Sequence, residues 1–318
     1  MTLPQEIRRT SEPGHSGART RQAASREAAE HEVRVLRRLR GADLARAAEV
    51  ARAALTYDAE DAGSLVERLA TPPGNRRWAA LVTEGGLAMA SMSTADPAVG
   101  HVDLLAVHPD HQGGGRGRAL VRAAEEWLRR EGARRVRLAG NPPCYAWPGV
   151  DVRYTPAACL AESLGYALDR TAWNMTAPLD IDLDVGEDLK RLAATGIEVR
   201  AVGEDRRRVA EFAREHWNDA WAWEAANASG VHYAERDGRV LAFAAWGARP
   251  SWFGPMGTAP EARGTGLGRV LLRRCLADMR AAGQRTAQIG WVGPLGFYAR
   301  AVGARAERVF WLYGRELA

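Results

Sequence analysis

The chain has 318 residues, about twice the length of a typical domain, so two domains are expected, each long enough to bury a core. With 46% hydrophobic and 26% charged residues it reads as a folded polypeptide. No uninterrupted apolar run approaches the ~20 residues of a membrane span, which excludes membrane-spanning and wholly disordered readings. The net charge of +5 is uneven: residues 1–40 hold nine Arg and five Glu, which leaves +1 for the rest of the chain and argues against nucleic acid as a partner.

Residues 1–31 lack the apolar stretch of a secretory signal and read as a flexible Arg-rich tail. A strand is expected over 33–36, then an Ala-rich helix with Asp43 as a candidate N-cap, then strands over 78–83, 87–93 and 101–107, with a Glu84-Gly85-Gly86 turn between the first two. A glycine loop follows, and then a helix whose apolar stripe is Leu120, Ala123, Ala124, Trp127 and Leu128. A strand over 136–140, a Pro/aromatic loop over 141–151, a short helix and a final strand complete the unit to residue 177. Residues 178–195, with Asp180, Asp182, Asp184, Glu187 and Asp188, read as an acidic, flexible linker.

From residue 196 the same order begins again. Strands are expected over 197–200, 231–235, 240–246 and 252–258, with Glu204 or Asp205 as the helix cap and Asp237-Gly238 as a hairpin turn. The glycine loop recurs, followed by a helix with Leu272, Cys275, Leu276 and Met279 facing inward and a strand over 287–291. Trp127, Cys275 and Met279 are therefore expected in the core. The segment starting at Pro109 matches the segment starting at Pro260 at a constant offset of 151, held without a gap to Gly132 and Gly283. The chain is thus read as one domain written twice, over 32–177 and 196–318. Cys144, Cys159 and Cys275 show no CxxC or Cys/His spacing, so no metal site is expected, and a reducing cytoplasm fits.

A glycine turn between a strand and a helix gathers outward-facing amides at a positive helix end, where a polyphosphate can be held. Spacing separates the motifs that share this device. The Lys of a Walker loop is absent, and Leu120 and Leu271 stand where a dinucleotide fold needs its third glycine. What remains is Gln112-Gly113-Gly114-Gly115-Arg116-Gly117 and Arg263-Gly264-Thr265-Gly266-Leu267-Gly268. Here the chain resembles the GNAT superfamily of acyl-CoA-dependent N-acyltransferases, in tandem form. The resemblance implies an α+β fold, two mixed, mostly antiparallel sheets flanked by helices, with acetyl-CoA as co-substrate and no metal. The two loops, Leu105 and Val107, and Met256 and Thr258 would be its cofactor contacts. A mixed sheet that splays before the loop would leave backbone amides free, with Gly257 placed to contact the thioester carbonyl and to let a ligand approach closely.

The superfamily's acid is usually a Tyr on the short helix before the last strand. Tyr298, after Phe297, matches it in the second copy. In the first copy Leu160-Ala161 stands there without the phenol. Catalysis is therefore expected in the second copy, with Tyr298 as acid and Asp219, Glu224, Glu235 or His216 as candidate bases. Asp103 with Tyr145 or Tyr154 could make the first copy active too; otherwise it binds CoA and shapes its partner's acceptor site. Two-domain relatives of this kind include mycothiol synthases and glucosaminide N-acetyltransferases. The 290–298 stretch looks more like the latter, and Trp221, Trp223, Trp252 and Trp291 offer indole faces to a sugar ring. A small-molecule amine, an amino sugar in particular, is the expected acceptor. A protein or peptide amine, or a non-catalytic CoA-binding module, are the alternatives. The tandem copies could form a pseudo-dimer.

Overall fold

The computed structural model describes residues 32–74, 76–203 and 206–317; the Arg-rich segment 1–31 and the cap candidates Glu204 and Asp205 lie outside them. The first half runs β1 (Arg34–Leu36), α1 (Gly41–Ala54), α2 (Ala62–Ala70), β2 (Trp78–Thr83), β3 (Gly86–Met92), β4 (Val99–Val107), α3 (Arg116–Arg130), β5 (Arg135–Leu138), β6 (Val150–Asp151), α4 (Thr155–Ser163) and β7 (Ala167–Pro178). The second half runs α5 (Gly186–Ala193), β8 (Glu198–Ala201), α6 (Arg207–His216), α7 (Asp219–Ala226), β9 (Gly230–Arg236), β10 (Arg239–Trp246), β11 (Trp252–Thr258), α8 (Leu267–Ala281), β12 (Thr286–Ile289), α9 (Leu295–Val302) and β13 (Arg305–Glu316). Among the described residues no helix is long and apolar enough to cross a membrane. Arg40, not Asp43, occupies the N-cap of α1; Asp43 lies inside the first turn, where its charge still faces the positive helix end. Asp237 and Gly238 both take left-handed φ (51° and 74°), as a two-residue hairpin between β9 and β10 requires.

The strands form one continuous sheet in the order β1-β2-β3-β4-β5-β13-β7-β12-β11-β10-β9-β8, with β6 against β13. The duplicated units do not each close on their own last strand. The final strand of the chain, β13, pairs with β5 of the first half, and β7 pairs with β12 of the second. Between these, β7 and β13 run antiparallel along nearly their whole length. The boundaries 32–177 and 196–318 therefore mark the sequence repeat and not two self-contained bodies, because each half borrows an edge from the other. Helices α3 and α8 press their apolar stripes on the sheet, and Trp127, Cys275 and Met279 are buried there as core residues.

The acidic segment 178–195 is not a flexible linker. Leu179, Leu183, Val185 and Leu192 are buried in the core of the second half, and α5 occupies its centre. Its acids serve as anchors: Asp188 pairs with Arg269 at 2.8 Å, and Arg273 and Arg280 donate to the carbonyls of Asp184 and Ile181. The segment thus lies along α8, held by one basic face of that helix.

Candidate active site

Both glycine loops adopt the same backbone. Gly113 and Gly115 have φ of 80° and 84°, and Gly264 and Gly266 have 80° and 88°; the second of each pair is the N-cap of the helix that follows. These left-handed values call for glycine. In the second loop the amides of Gly264, Thr265 and Gly266 have no backbone acceptor among the described residues. Leu267 and Gly268 open α8, where first-turn amides have no partner within the helix. Thr265 bonds back to the Ala262 carbonyl through its hydroxyl, and Arg263 is exposed. In the first loop, Gln112 donates to the Val107 carbonyl, whereas Arg116 turns toward Glu84 at 3.7 Å. Such an array of amides can hold phosphate oxygens.

The sheet splays beside each loop. β4 and β5 pair only from Val99 to Val102, and β11 and β12 only at Trp252 and Phe253. Beyond those points Leu105 and Val107 in one half, and Met256, Gly257 and Thr258 in the other, have no strand on that edge. The face of Gly257 has a different occupant from the one expected: a β-carbon there would lie 2.3 Å from the Trp217 ring, so glycine at this position admits an indole and not a ligand.

The short helices correspond at the residue that packs on the glycine loop. A β-carbon built on Gly117 would meet Leu160 at 3.1 Å, and one built on Gly268 would meet Phe297 at 3.4 Å, which equates Ala161 with Tyr298. Ala161 is buried without a polar group. Tyr298 sits edge-on to Phe253 (6.3 Å) and Phe297 (5.0 Å), beside the point where β11 parts from β12. Burial pushes its phenol up to about 12, so it stays a proton donor at neutral pH.

A cavity of about 350 Å³ lies between the halves and reaches the splay at Phe253, Gly254 and Pro255. Trp221, Trp252 and Trp291 line it; Trp223 does not. The first half contributes Arg68, Pro142 and Tyr145, the last edge-on to Trp252 at 6.2 Å and Trp291 at 5.6 Å. The cations are already engaged: Arg68 donates to the Ala248 carbonyl at 2.7 Å, and Arg249 donates to the Ala146 carbonyl and lies over the Trp252 ring. Glu224, on α7, is the carboxylate in the wall, and it makes no hydrogen bond or ion pair among the described residues. Burial drives its carboxyl up to about 8, against a smaller opposing pull from Arg68.

The other candidate bases lie elsewhere. Asp219 pairs with Arg214, Glu235 with Arg200 and Arg208, and His216 bonds the Phe212 carbonyl. In the first half Asp103 is buried beneath Ser91, which donates to it at 2.6 Å, and burial raises it to about 7. The Tyr154 hydroxyl donates to Asp58, and Tyr145 points into the cavity just described. Neither Tyr stands where Tyr298 does. Sequence reading missed Arg68 and Arg249, which belong to no motif; their roles depend on carbonyls brought near by the fold.

A continuous sheet that splays twice, each time beside a glycine loop, defines a tandem acyltransferase architecture, and the chain belongs to the acetyltransferase (GNAT) family, whose profile matches residues 56–147 and 200–303. It is an acyltransferase enzyme. It is 30% identical over 239 residues to the mycothiol acetyltransferase of Thermomonospora curvata, covering 68% of this chain and 74% of that one. It is 29% identical over 261 residues to that of Frankia alni, covering 68% and 73%. Among solved structures, the glucosamine N-acetyltransferase region of a fungal multi-domain GH3 β-N-acetylglucosaminidase superposes with a TM-score of 0.72 at 18% identity, over 90% of this chain and 38% of that one. A tandem GNAT protein of the clavulanic acid biosynthesis pathway superposes with 0.65 at 17% identity, over 90% and 99%. At these identities the superpositions speak to the fold alone.

Proposed function

We propose that the second half transfers an acetyl group to the primary amine of a small molecule, an amino sugar, bound in the cavity between the halves. Acetyl-CoA, as co-substrate, supplies the thioester that the amine attacks directly. The observation that carries this reading is Glu224, an unpaired carboxyl in an indole-walled cavity that ends at the splay beside Tyr298.

The residues divide the work. The loop from Arg263 to Gly268 holds the pyrophosphate through its amides, and the open edge of β11 at Met256 to Thr258 aligns the pantetheine arm and offers an amide to the carbonyl oxygen. An arriving ammonium favours the charged form of Glu224, which then takes a proton from the amine and frees its lone pair for attack. As the C–N bond forms and the C–S bond breaks, the Tyr298 hydroxyl delivers a proton to the departing sulfur. Trp221, Trp252 and Trp291 offer flat faces to a sugar ring. The first half, with Ala161 in place of the phenol, binds CoA at its own loop without turnover and lends Tyr145 to its partner's cavity.

The test is thiol release from acetyl-CoA across amino sugars, aminoglycosides, polyamines and peptides. Release dependent on amino sugars supports the reading. Release only with peptides transfers the activity to a protein amine, and no acceptor-dependent release reduces the chain to a CoA-binding module.

A further inference from the structure

A second and larger cleft, of about 500 Å³, lies where β5, β13 and β7 run side by side, and Trp291 stands in the walls of both cavities. Trp291 is held there against its own backbone preference. Its φ of 48° is left-handed, a conformation that bulky residues adopt at a cost and that persists where the surroundings impose it. The Asn174 side chain fixes its amide at 2.9 Å, and its ring packs on Gly140, 3.3 Å from where a β-carbon would lie. Gly140, which takes φ 64°, is the residue 151 positions earlier, so the first half places glycine where the second keeps an indole between two cavities.

The two cavities differ in which charged group is left without a partner. In the first, Arg68 and Arg249 are spent on carbonyls and Glu224 is left over. In the second, the acids gather at the far end, where Glu316 pairs with Arg135 at 2.6 Å and Asp169 adjoins the same guanidinium; Arg315 is bound to Glu125. The guanidinium groups of Arg137 and Arg170, which also line the cleft, make no hydrogen bond or ion pair among the described residues. They flank β13 from either side, Arg137 across from Gly314 and Arg170 across from Leu312; at Gly314 no side chain blocks the floor. Arg137 lies near the end of β5, three residues before Gly140, and lines the same cleft as Trp291.

Resting on the acceptor reading above, we infer that the acceptor is an amino sugar carrying an oxyanion, a carboxylate or a phosphate, about one further sugar ring from its amine. The amine lies at Glu224, the sugar crosses Trp291, and the oxyanion sits between Arg137 and Arg170.

Three disaccharides of one length test this: glucosaminyl-β1,4-N-acetylglucosamine, its 1-phosphate, and glucosaminyl-β1,4-N-acetylmuramic acid, which bears a carboxylate. Each is titrated calorimetrically into the full chain, and kcat/KM is measured in parallel. At least one charged sugar is expected to bind about tenfold more tightly than the neutral one, and which of the two does so names the oxyanion. In the variant Arg137→Gln/Arg170→Gln, or in about 0.5 M salt, that advantage shrinks to about twofold or less, and the Lys double variant restores part of it. Equal binding of all three sugars, or an advantage that survives in the Gln variant, overturns the inference. If a charged sugar binds in the Arg-dependent manner but is not acetylated, the anion site stands and the acceptor reading falls. If the neutral disaccharide is acetylated as well as the charged ones, the acceptor reading stands and this inference falls.

Discussion

Arg308, on the last strand, holds Asp58, 250 residues earlier, through both ends of its guanidinium, at 2.7 and 3.0 Å. Its Nε reaches Asp151 at 2.8 Å, and the group lies over the rings of Trp147 and Phe310. One cation thus ties the segment between α1 and α2, the end of the 141–151 loop and the exchanged strand. Replacing it with Met leaves two buried carboxylates without their shared partner, so unfolding stability should fall by about 3–5 kcal/mol. Urea denaturation measures this, and a loss below about 1 kcal/mol would show that the carboxylates find other partners.

Glu224 gives the enzyme a pH signature. With its carboxyl raised by burial from an ordinary 4.5 to about 8, the empty site is mostly protonated at neutral pH, so kcat/KM should climb with pH and level off above about 8. Glu224→Gln should lower kcat by about 100-fold or more and remove that limb. Stability carries the opposite sign. Between about 4.5 and 8 the folded chain keeps a proton that the unfolded chain has lost, so stability falls with rising pH, and the Gln variant should lose that slope.

Tyr298→Phe removes the proton donor and keeps the ring contacts with Phe253 and Phe297. A fall in kcat of about 100-fold with little change in KM for acetyl-CoA is expected. Because the phenol is pushed up to about 12, no alkaline loss of activity belonging to it should appear below about pH 11. Turnover near that of the unaltered enzyme would remove Tyr298 from the mechanism.

Arg191, from α5, donates to the Thr265 carbonyl at 3.0 Å and also contacts Asp188. A trans peptide points that carbonyl away from the Gly266 amide, so the guanidinium braces the loop from behind while the amides stay free in front. Arg191→Ala should raise KM for acetyl-CoA about fivefold and leave kcat nearly intact, with Lys restoring part of the loss. An unchanged KM would mean the brace is idle.

The glycine loops were legible because the chain writes them twice in one register, and the matching φ values show that both copies fold alike. The packing of 178–195 was hidden by its acids, although Leu179, Leu183, Val185, Leu189 and Leu192 already mark an inward side. The exchange of β7 and β13 could not be read, since apolar patterning identifies a strand without naming its neighbour. Glu224 looked no different from Asp219 or Glu235 because its isolation depends on α7 facing a loop of the other half, a relationship that exists only after folding.

The exchanged strand sets an order in time. The edge of β5 is completed by residues 314–316, so while the chain is being synthesised the first half carries an open strand edge until those residues have emerged. Its hydrophobic core can collapse early, but its sheet waits on contacts about 180 residues away, the kind of long-range pairing that slows folding. Half of this chain is therefore an unfinished sheet, and the cavity lined by both halves comes into being together with the completed fold.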